Sequence, residues 1–209
     1  MNLGKPRGRP TKDEAAVIDV RVLDAARALF SQKGIANSSI DELARTLGVS
    51  KHTIYRRYAS KAQLLDAVVE RDINAFRDEL TSAGATRTDE LESLYQVALR
   101  YFKFGSSPDY SAFYLLVSAE AVVSPDLRER LTEWTNSALQ PVMDAVSSAQ
   151  TAGYLRCGSS SSIGEILIDL LEGANNRVRL RDATSISSRT ARKLFDDRWQ
   201  VFMKAMASE

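Results

Sequence analysis

Histidine and cysteine are almost missing from this 209-residue chain, which has one of each, His52 and Cys157. A lone cysteine excludes an intrachain disulfide and a cysteine-built zinc site. A lone histidine excludes a multi-histidine metal site and leaves any His-based catalytic dyad a single residue to draw on. Neither a metal nor a cofactor is expected. No apolar run approaches the roughly 18 residues that read as a membrane helix, and the first residues lack the apolar stretch of a secretory signal. No membrane partner is therefore expected, and the expected location is cytoplasmic. Convincing strand patterns are absent, and so are glycine-rich loops following a strand, which removes the usual phosphate-cradling motifs. The paired carboxylates Asp196 and Asp197 are adjacent, so a helix points them to different sides, and they read as a solvated face rather than as acid and base partners. The chain is not read as an enzyme. Cys157 reads either as a small residue near a loop or as a redox-sensing thiol.

What is present is helical periodicity and an uneven charge. The formal net charge is only +1, but residues 1–60 hold 11 Lys or Arg against 6 Asp or Glu. A cationic excess confined to one end suits a docking face for a polyanion, and the near-neutral total argues against a polyanion-coating protein.

Residues 39–61 lie inside that cationic end. Leu43, Leu47, Val49 and Ile54 supply apolar anchors, Ala44 is small where two helix backbones approach, and Gly48 stands where a tight turn needs positive φ. Ser39 and Glu42 form a capping box for a first helix, and Ser50 caps a second. The spacing specifies a helix-turn-helix. Its second helix enters the major groove N-terminus first, so Lys51, His52 and Thr53, in its first turn, are the residues expected to face base edges.

The run Gly48-Val49-Ser50-Lys51-His52-Thr53-Ile54-Tyr55-Arg56-Arg57-Tyr58, then Ser60-Lys61 and Leu64-Leu65, resembles the DNA-binding region of TetR-family transcriptional regulators. The preceding helix, from about Val17 to Lys33 with Ala25, Ala26, Leu29, Phe30 and Gly34, is similar too, so the resemblance covers residues 17–70. It implies that Lys51, His52 and Thr53 read bases while Tyr55, Tyr58 and Lys61 hold phosphates. Ser39, Arg56 and Arg57 join the phosphate-binding candidates. The chain departs from the family where histidine then phenylalanine are frequent and Arg57 and Tyr58 stand instead; arginine there keeps a phosphate contact and adds a permanent charge.

Ahead of this module, Gly4-Lys5-Pro6-Arg7-Gly8-Arg9-Pro10-Thr11-Lys12 is too rich in proline and glycine for a helix and reads as an extended arm. Its Arg-Gly-Arg-Pro core looks like an AT-hook. Arg7 and Arg9 either enter a minor groove or belong to a solubilising tail. The expected organisation is a basic arm over 1–16, a helix-turn-helix domain over 17–66 and a helical body over 67–209, all-α with about nine helices.

Beyond residue 60 the pattern is helical throughout. Ser60 and Gln63 cap a helix expected to end near Leu80, with a break at Thr81–Thr86. A helix from about Thr88 to Phe104 follows, then a short one through Phe113, Leu116 and Val117, then a long one from Ser124 and Pro125 to about Thr151. Pro141 is expected to kink or break the long helix, either shaping a cavity or bending it around the core. After the cap pair Ser162 and Glu165, the residues Ile163, Ile166, Leu167, Leu170, Leu171 and Ala174 form one apolar stripe; Leu194, Val201, Phe202 and Ala205 suggest another. The stripes suit a monomer core as well as an interface. In TetR-like proteins the two C-terminal helices pair between protomers, so the resemblance implies a homodimer through Ile163, Leu167, Leu170, Leu171, Ala174, Leu194, Val201 and Phe202.

Aromatic residues gather between these elements. Tyr101, Phe104, Tyr110, Phe113, Tyr114 and Trp134, with Tyr95 and Phe102 beside them, fall in helices that enclose the inducer cavity in the resembled family. They read either as core or as the lining of a site for a small apolar or aromatic effector. The function expected from the sequence is a homodimeric, sequence-specific regulator of transcription, most simply a repressor that an effector releases from a palindromic operator in double-stranded DNA. The alternative is a constitutive or architectural DNA-binding protein whose body only dimerises or contacts a protein partner.

Overall fold

A computed structural model describes residues 12–85, 89–180 and 187–208, with no account of the side chains of residues 12–16. The arm candidates Arg7 and Arg9 lie outside the described residues. The elements are α1 (Lys12–Lys33), α2 (Ile40–Leu47), α3 (Lys51–Tyr55), α4 (Lys61–Ala85), α5 (Glu90–Gly105), α6 (Pro108–Val123), α7 (Pro125–Thr151), α8 (Ser160–Arg179) and α9 (Ser188–Met206). Among the described residues the only β pairing is an isolated antiparallel bridge between Leu155 and Ala207. No helix among them is long and apolar enough to cross a membrane. The chain divides into two compact units between Glu70 and Arg71, inside α4.

In the first unit α1 packs on α2 and α2 on α3. Ala26, Ile54, Leu64 and Val68 are fully buried there, around Phe30 and Leu43. In the second unit α5 packs against α7 and α8, and α8 against α9. Leu94, Ala98, Val146, Leu167, Ala174 and Phe195 are fully buried in its core. Small residues at helical spacing on α7, Ala138, Ala145 and Ala149, let its backbone approach that core.

Several boundaries differ from the sequence expectation, each for a local reason. α4 runs through Thr81–Ala85 instead of breaking there. Smallness at Gly84 serves close packing, because a Cβ at that position would stand 3.0 Å from Ser93 Oγ and 3.1 Å from Val97 Cγ2. α6 is a full 16-residue helix. α8 starts earlier than Ser162: Ser159 is its cap and accepts from Ser162 N–H at 3.3 Å, while the Glu165 carboxylate accepts from the Ser161 hydroxyl. α7 continues unbroken past Pro141 to Thr151, so the proline removes one backbone donor without ending the helix.

The proposed dimer stripe needs correction on burial. Ile163, Leu167, Leu171, Ala174 and Phe202 are at most 2% exposed and belong to the protomer's own core. Their spacing reports the face that α8 and α9 turn inward. Leu170 and Leu194 are half-buried, and Val201 is exposed.

Candidate nucleic-acid interface and effector site

The reading head is assembled by caps and one turn. Ser39 takes extended backbone angles and its hydroxyl accepts from Glu42 N–H at 3.1 Å, opening α2. Gly48 ends α2 at φ 66°, in the left-handed region that favours glycine. Ser50 then caps α3: its Oγ accepts from Thr53 N–H at 3.2 Å and lies 2.9 Å from Thr53 Oγ1. Ile54, with no exposed surface, anchors α3 inward. That leaves Lys51 and His52 exposed in the first turn, with Thr53 beside them, half-exposed and tied to the cap. Lys51 Nζ stands 3.5 Å from Asp41 Oδ1, but both side chains are 65% exposed, so water and salt weaken the pair and leave the lysine head available.

The phosphate candidates separate into two groups. Tyr55 and Arg56 are exposed at the end of α3, and Ser39 is exposed at the start of α2. Arg57 and Lys61 are directed inward instead. The Arg57 guanidinium pairs with Asp19 of α1, and its side chain is 13% exposed. Lys61 Nζ donates to the carbonyls of Ile35, Ala36 and Ser38 at 2.8, 3.2 and 3.1 Å. An ammonium has three protons, and here each has an acceptor in the α1–α2 connection. Both side chains brace the head from within. Lys33 adds a third strut by pairing with Glu42, which turns that carboxylate toward α1. Tyr58 is half-buried. No sequence signal named Asp19, because its partner lies 38 residues away.

The aromatic candidates of the body fall into two clusters. Phe76, Tyr101, Phe104, Tyr110 and Tyr114 form one, with ring centroids 4.5 to 6.0 Å apart in successive pairs. Tyr95, Phe102, Phe195, Trp199 and Phe202 form the other, with Arg192 lying 5.5 Å over the Tyr95 ring. Phe113 is buried on α6, and Trp134 is half-buried on α7.

A polar group the sequence reading missed borders the first cluster. Tyr101 donates its hydroxyl proton to Glu172 at 2.8 Å, and Arg179 Nη1 donates to the same carboxylate at 2.8 Å with its side chain 2% exposed. Burial, and then the Glu172 charge, push the Tyr101 hydroxyl pKa well above the ordinary tyrosine value. Ser111 donates to the Gly105 carbonyl at 2.8 Å, and Arg179 Nε donates to the same oxygen at 2.9 Å. A usable signal existed: Glu172, Asn175 and Arg179 recur at i, i+3 and i+7 on a helix otherwise read only for its apolar stripe. Two surface depressions of about 310 and 480 Å³ lie elsewhere on the body, and none of the aromatic candidates lines either.

Comparison with known proteins bears on both parts. Residues 22–68 match bacterial regulatory proteins of the tetR family. The HTH-type transcriptional activator FasR of Mycolicibacterium smegmatis is 27% identical over 127 residues, 61% of this chain and 58% of that one. An HTH-type transcriptional regulator of Staphylococcus aureus, SAB2452, is 36% identical over 56 residues, 27% of this chain and 30% of that one. The chain thus matches less than two thirds of the length of either. UidR of Escherichia coli, an HTH-type transcriptional regulator, is 25% identical over 175 residues, 81% of this chain and 85% of that one. A solved TetR-family structure from Mesorhizobium loti superposes with a TM-score of 0.81 at 21% identity, covering 95% of this chain and 100% of that one. The fatty acid degradation regulator FadR of Bacillus halodurans gives 0.74 at 16% identity, covering 94% and 97%. These two likenesses carry the fold. Residues 22–68 thus carry the N-terminal domain of the tetR family of bacterial regulatory proteins, and the all-helical chain shares the architecture of a solved TetR-family structure.

Proposed function

We propose that this protein is a sequence-specific, DNA-binding transcriptional regulator that acts as a homodimer and, in its simplest mode, represses until a small molecule binds the helical body. The observation that carries the reading is the head: a capped five-residue helix after a left-handed Gly48 turn, with Lys51 and His52 exposed in its first turn and Ile54 fixing its inner face. Lys51, His52 and Thr53 are assigned to base edges, and Ser39, Tyr55 and Arg56 to phosphates. A two-fold dimer presents two such heads to half-sites on successive major-groove faces, and linkage of the two contacts supplies affinity that one short helix lacks.

The ligand-responsive part rests on the first aromatic cluster and its polar border, a pattern of rings with few convergent polar groups. Ligand occupancy favours a dimer state in which the two heads no longer match their half-sites, with α4, continuous from Lys61 to Ala85, as the connecting element. The name of FasR as an activator supports a second reading, in which the same DNA contact recruits transcription instead of blocking it.

The test is selection of bound fragments from random and genomic DNA by the purified protein at two salt concentrations. Enrichment of an inverted repeat supports the dimeric regulator. Binding with no enrichment that vanishes at higher salt rejects it in favour of a non-specific DNA binder. Lys51→Ala should relax preference at one position of each half-site; an equal loss on specific and random DNA would remove Lys51 from the readers.

A further inference from the structure

We propose that the effector seat is built on Asn175 and Tyr110 and takes a ring-bearing molecule with an N–H or O–H donor, neutral or cationic, while rejecting carboxylates. The inference rests on the ligand-responsive reading above and names the chemistry of its site. Asn175 on α8 is fully buried. Its Nδ2 donates to Glu172 Oε1 at 3.1 Å. An ionised carboxylate only accepts, so this bond fixes which end of the amide faces Glu172. The carbonyl oxygen Oδ1 is left buried with no partner. An orphaned buried acceptor is costly, and native proteins rarely keep one without something to complete it. The missing group must be a donor.

The cation beside it is already committed. Arg179 Nε donates to the Gly105 carbonyl and, at 3.3 Å, to Ser111 Oγ; Nη1 donates to Glu172 Oε2 and, at 3.2 Å, to Asn176 Oδ1; Nη2 donates to Glu172 Oε1 at 3.4 Å. The guanidinium also lies 5.3 Å over the Tyr114 ring. An incoming carboxylate would compete with Glu172 for nitrogens that all have partners. The charges of Glu172 and Asp72, against that of Arg179, bear on the Tyr110 hydroxyl. Asp72 is itself paired with Arg71 at 3.5 Å, so the charges near Tyr110 are balanced and the preference for a donor rests on the Asn175 carbonyl oxygen.

The surroundings suit a flat molecule. Tyr110 and Tyr114 are half-buried, with near-parallel rings 6.0 Å apart, and neither hydroxyl has a partner among the described residues. Ser118 sits at i+4 from Tyr114 on the same helix face and holds a second buried hydroxyl oxygen without a partner. Rings supply stacking area, and the unpartnered hydroxyls and carbonyl supply orientation.

Three probes on one ring system test this with the full-length protein: 2-naphthylmethylamine, 2-naphthylmethanol and 2-naphthoate, followed by thermal shift, calorimetric titration and release from bound DNA. The amine and the alcohol are expected to bind and raise the melting temperature, and the naphthoate to do neither. Asn175→Ala should weaken the amine about tenfold, the loss expected for one buried hydrogen bond. Tyr110→Phe, which keeps the ring and breaks no existing bond, should weaken it as well and serves if the Asn175 variant fails to fold. Naphthoate binding as tightly as the amine, no binding by any probe, or binding indifferent to both substitutions would overturn the proposal. Binding that follows the expected pattern but leaves DNA affinity unchanged would support the seat and reject the release mechanism.

Discussion

Lys61 and Arg56 carry the same charge five residues apart and do opposite work. Lys61 gives its three protons to carbonyls of the α1–α2 connection, so removing it leaves the part-buried Ile35 and Ser38 acceptors unsatisfied. Lys61→Ala should lower unfolding stability by about 1–3 kcal/mol, read from urea denaturation, and leave the salt slope of random-duplex binding where it was. Arg56 is exposed. Arg56→Ala should leave stability alone and reduce that slope by about 0.9, the change expected for one phosphate contact. The reverse pattern would return Lys61 to the phosphate set. Arg57, paired with Asp19, should follow Lys61 rather than Arg56. Spacing made the exposed first turn and both serine caps legible, because capping depends on neighbours three residues apart. It did not reveal the internal partners of Lys61 and Arg57, because those partners lie on other elements and a cation in a basic segment looks the same whichever way it points.

Most helices were legible as elements, while their ends were not, since an end depends on what the next helix packs against. α4 outruns its small-residue stretch because Gly84 meets α5, and α5 in turn ends at a glycine required by α8. A Cβ on Gly105 would stand 2.4 Å from Asn175 Nδ2 and 3.2 Å from Arg179 Nη2, both held by Glu172. Gly105→Ala should therefore cost about 1–3 kcal/mol by overpacking, measured by thermal or urea unfolding, although Ala is the better helix former. The start of α5 carries a pH dependence of definite sign. Asp89 caps α5 by accepting from Glu92 N–H at 2.8 Å, and it also accepts the Tyr154 hydroxyl. The Tyr154 hydrogen bond first, and the Glu92 N–H second, hold its pKa below the ordinary carboxylate value. A depressed carboxylate contributes stability that is present above the unfolded value, about 3.9, and is lost as pH falls through the lower folded value. Tyr154 is raised by the same pair, first through that hydrogen bond, so its contribution persists until strongly alkaline pH. Thermal melts of wild type and Tyr154→Phe should differ by a constant amount near neutrality and converge below about pH 4; curves that stay parallel through acid pH would rule the pair out.

For the whole molecule the decisive quantity is the assembly, because a short reading helix contacts few bases and specificity for a palindrome needs two of them. The fully buried members of the α8 and α9 stripes cannot serve a second protomer, so an interface on these helices must use what they leave outside. Ile166 is 38% exposed, Leu170 follows at i+4 half-buried, and Gly173 follows at i+7, exposed and with open space where a side chain would stand. That face of α8 is apolar and small enough for another helix to approach closely, and Val201, 55% exposed on α9, adds apolar area. Ile166→Asp combined with Val201→Asp places charge on that surface without touching the core. The double variant is expected to keep its helicity and melting behaviour as a protomer, sediment as a monomer, and lose inverted-repeat binding while retaining weak, salt-sensitive binding to random duplex. Leu167→Ala is the control from the inward face. It should cost about 2–5 kcal/mol of folding stability through the cavity it leaves, and it should leave the surviving folded protein as dimeric as before. If the double aspartate variant stays dimeric, the partner protomer sits on another surface and α8 and α9 serve the protomer alone; if it becomes monomeric and still binds the full inverted repeat with wild-type affinity, linkage of two heads is not what reads the operator.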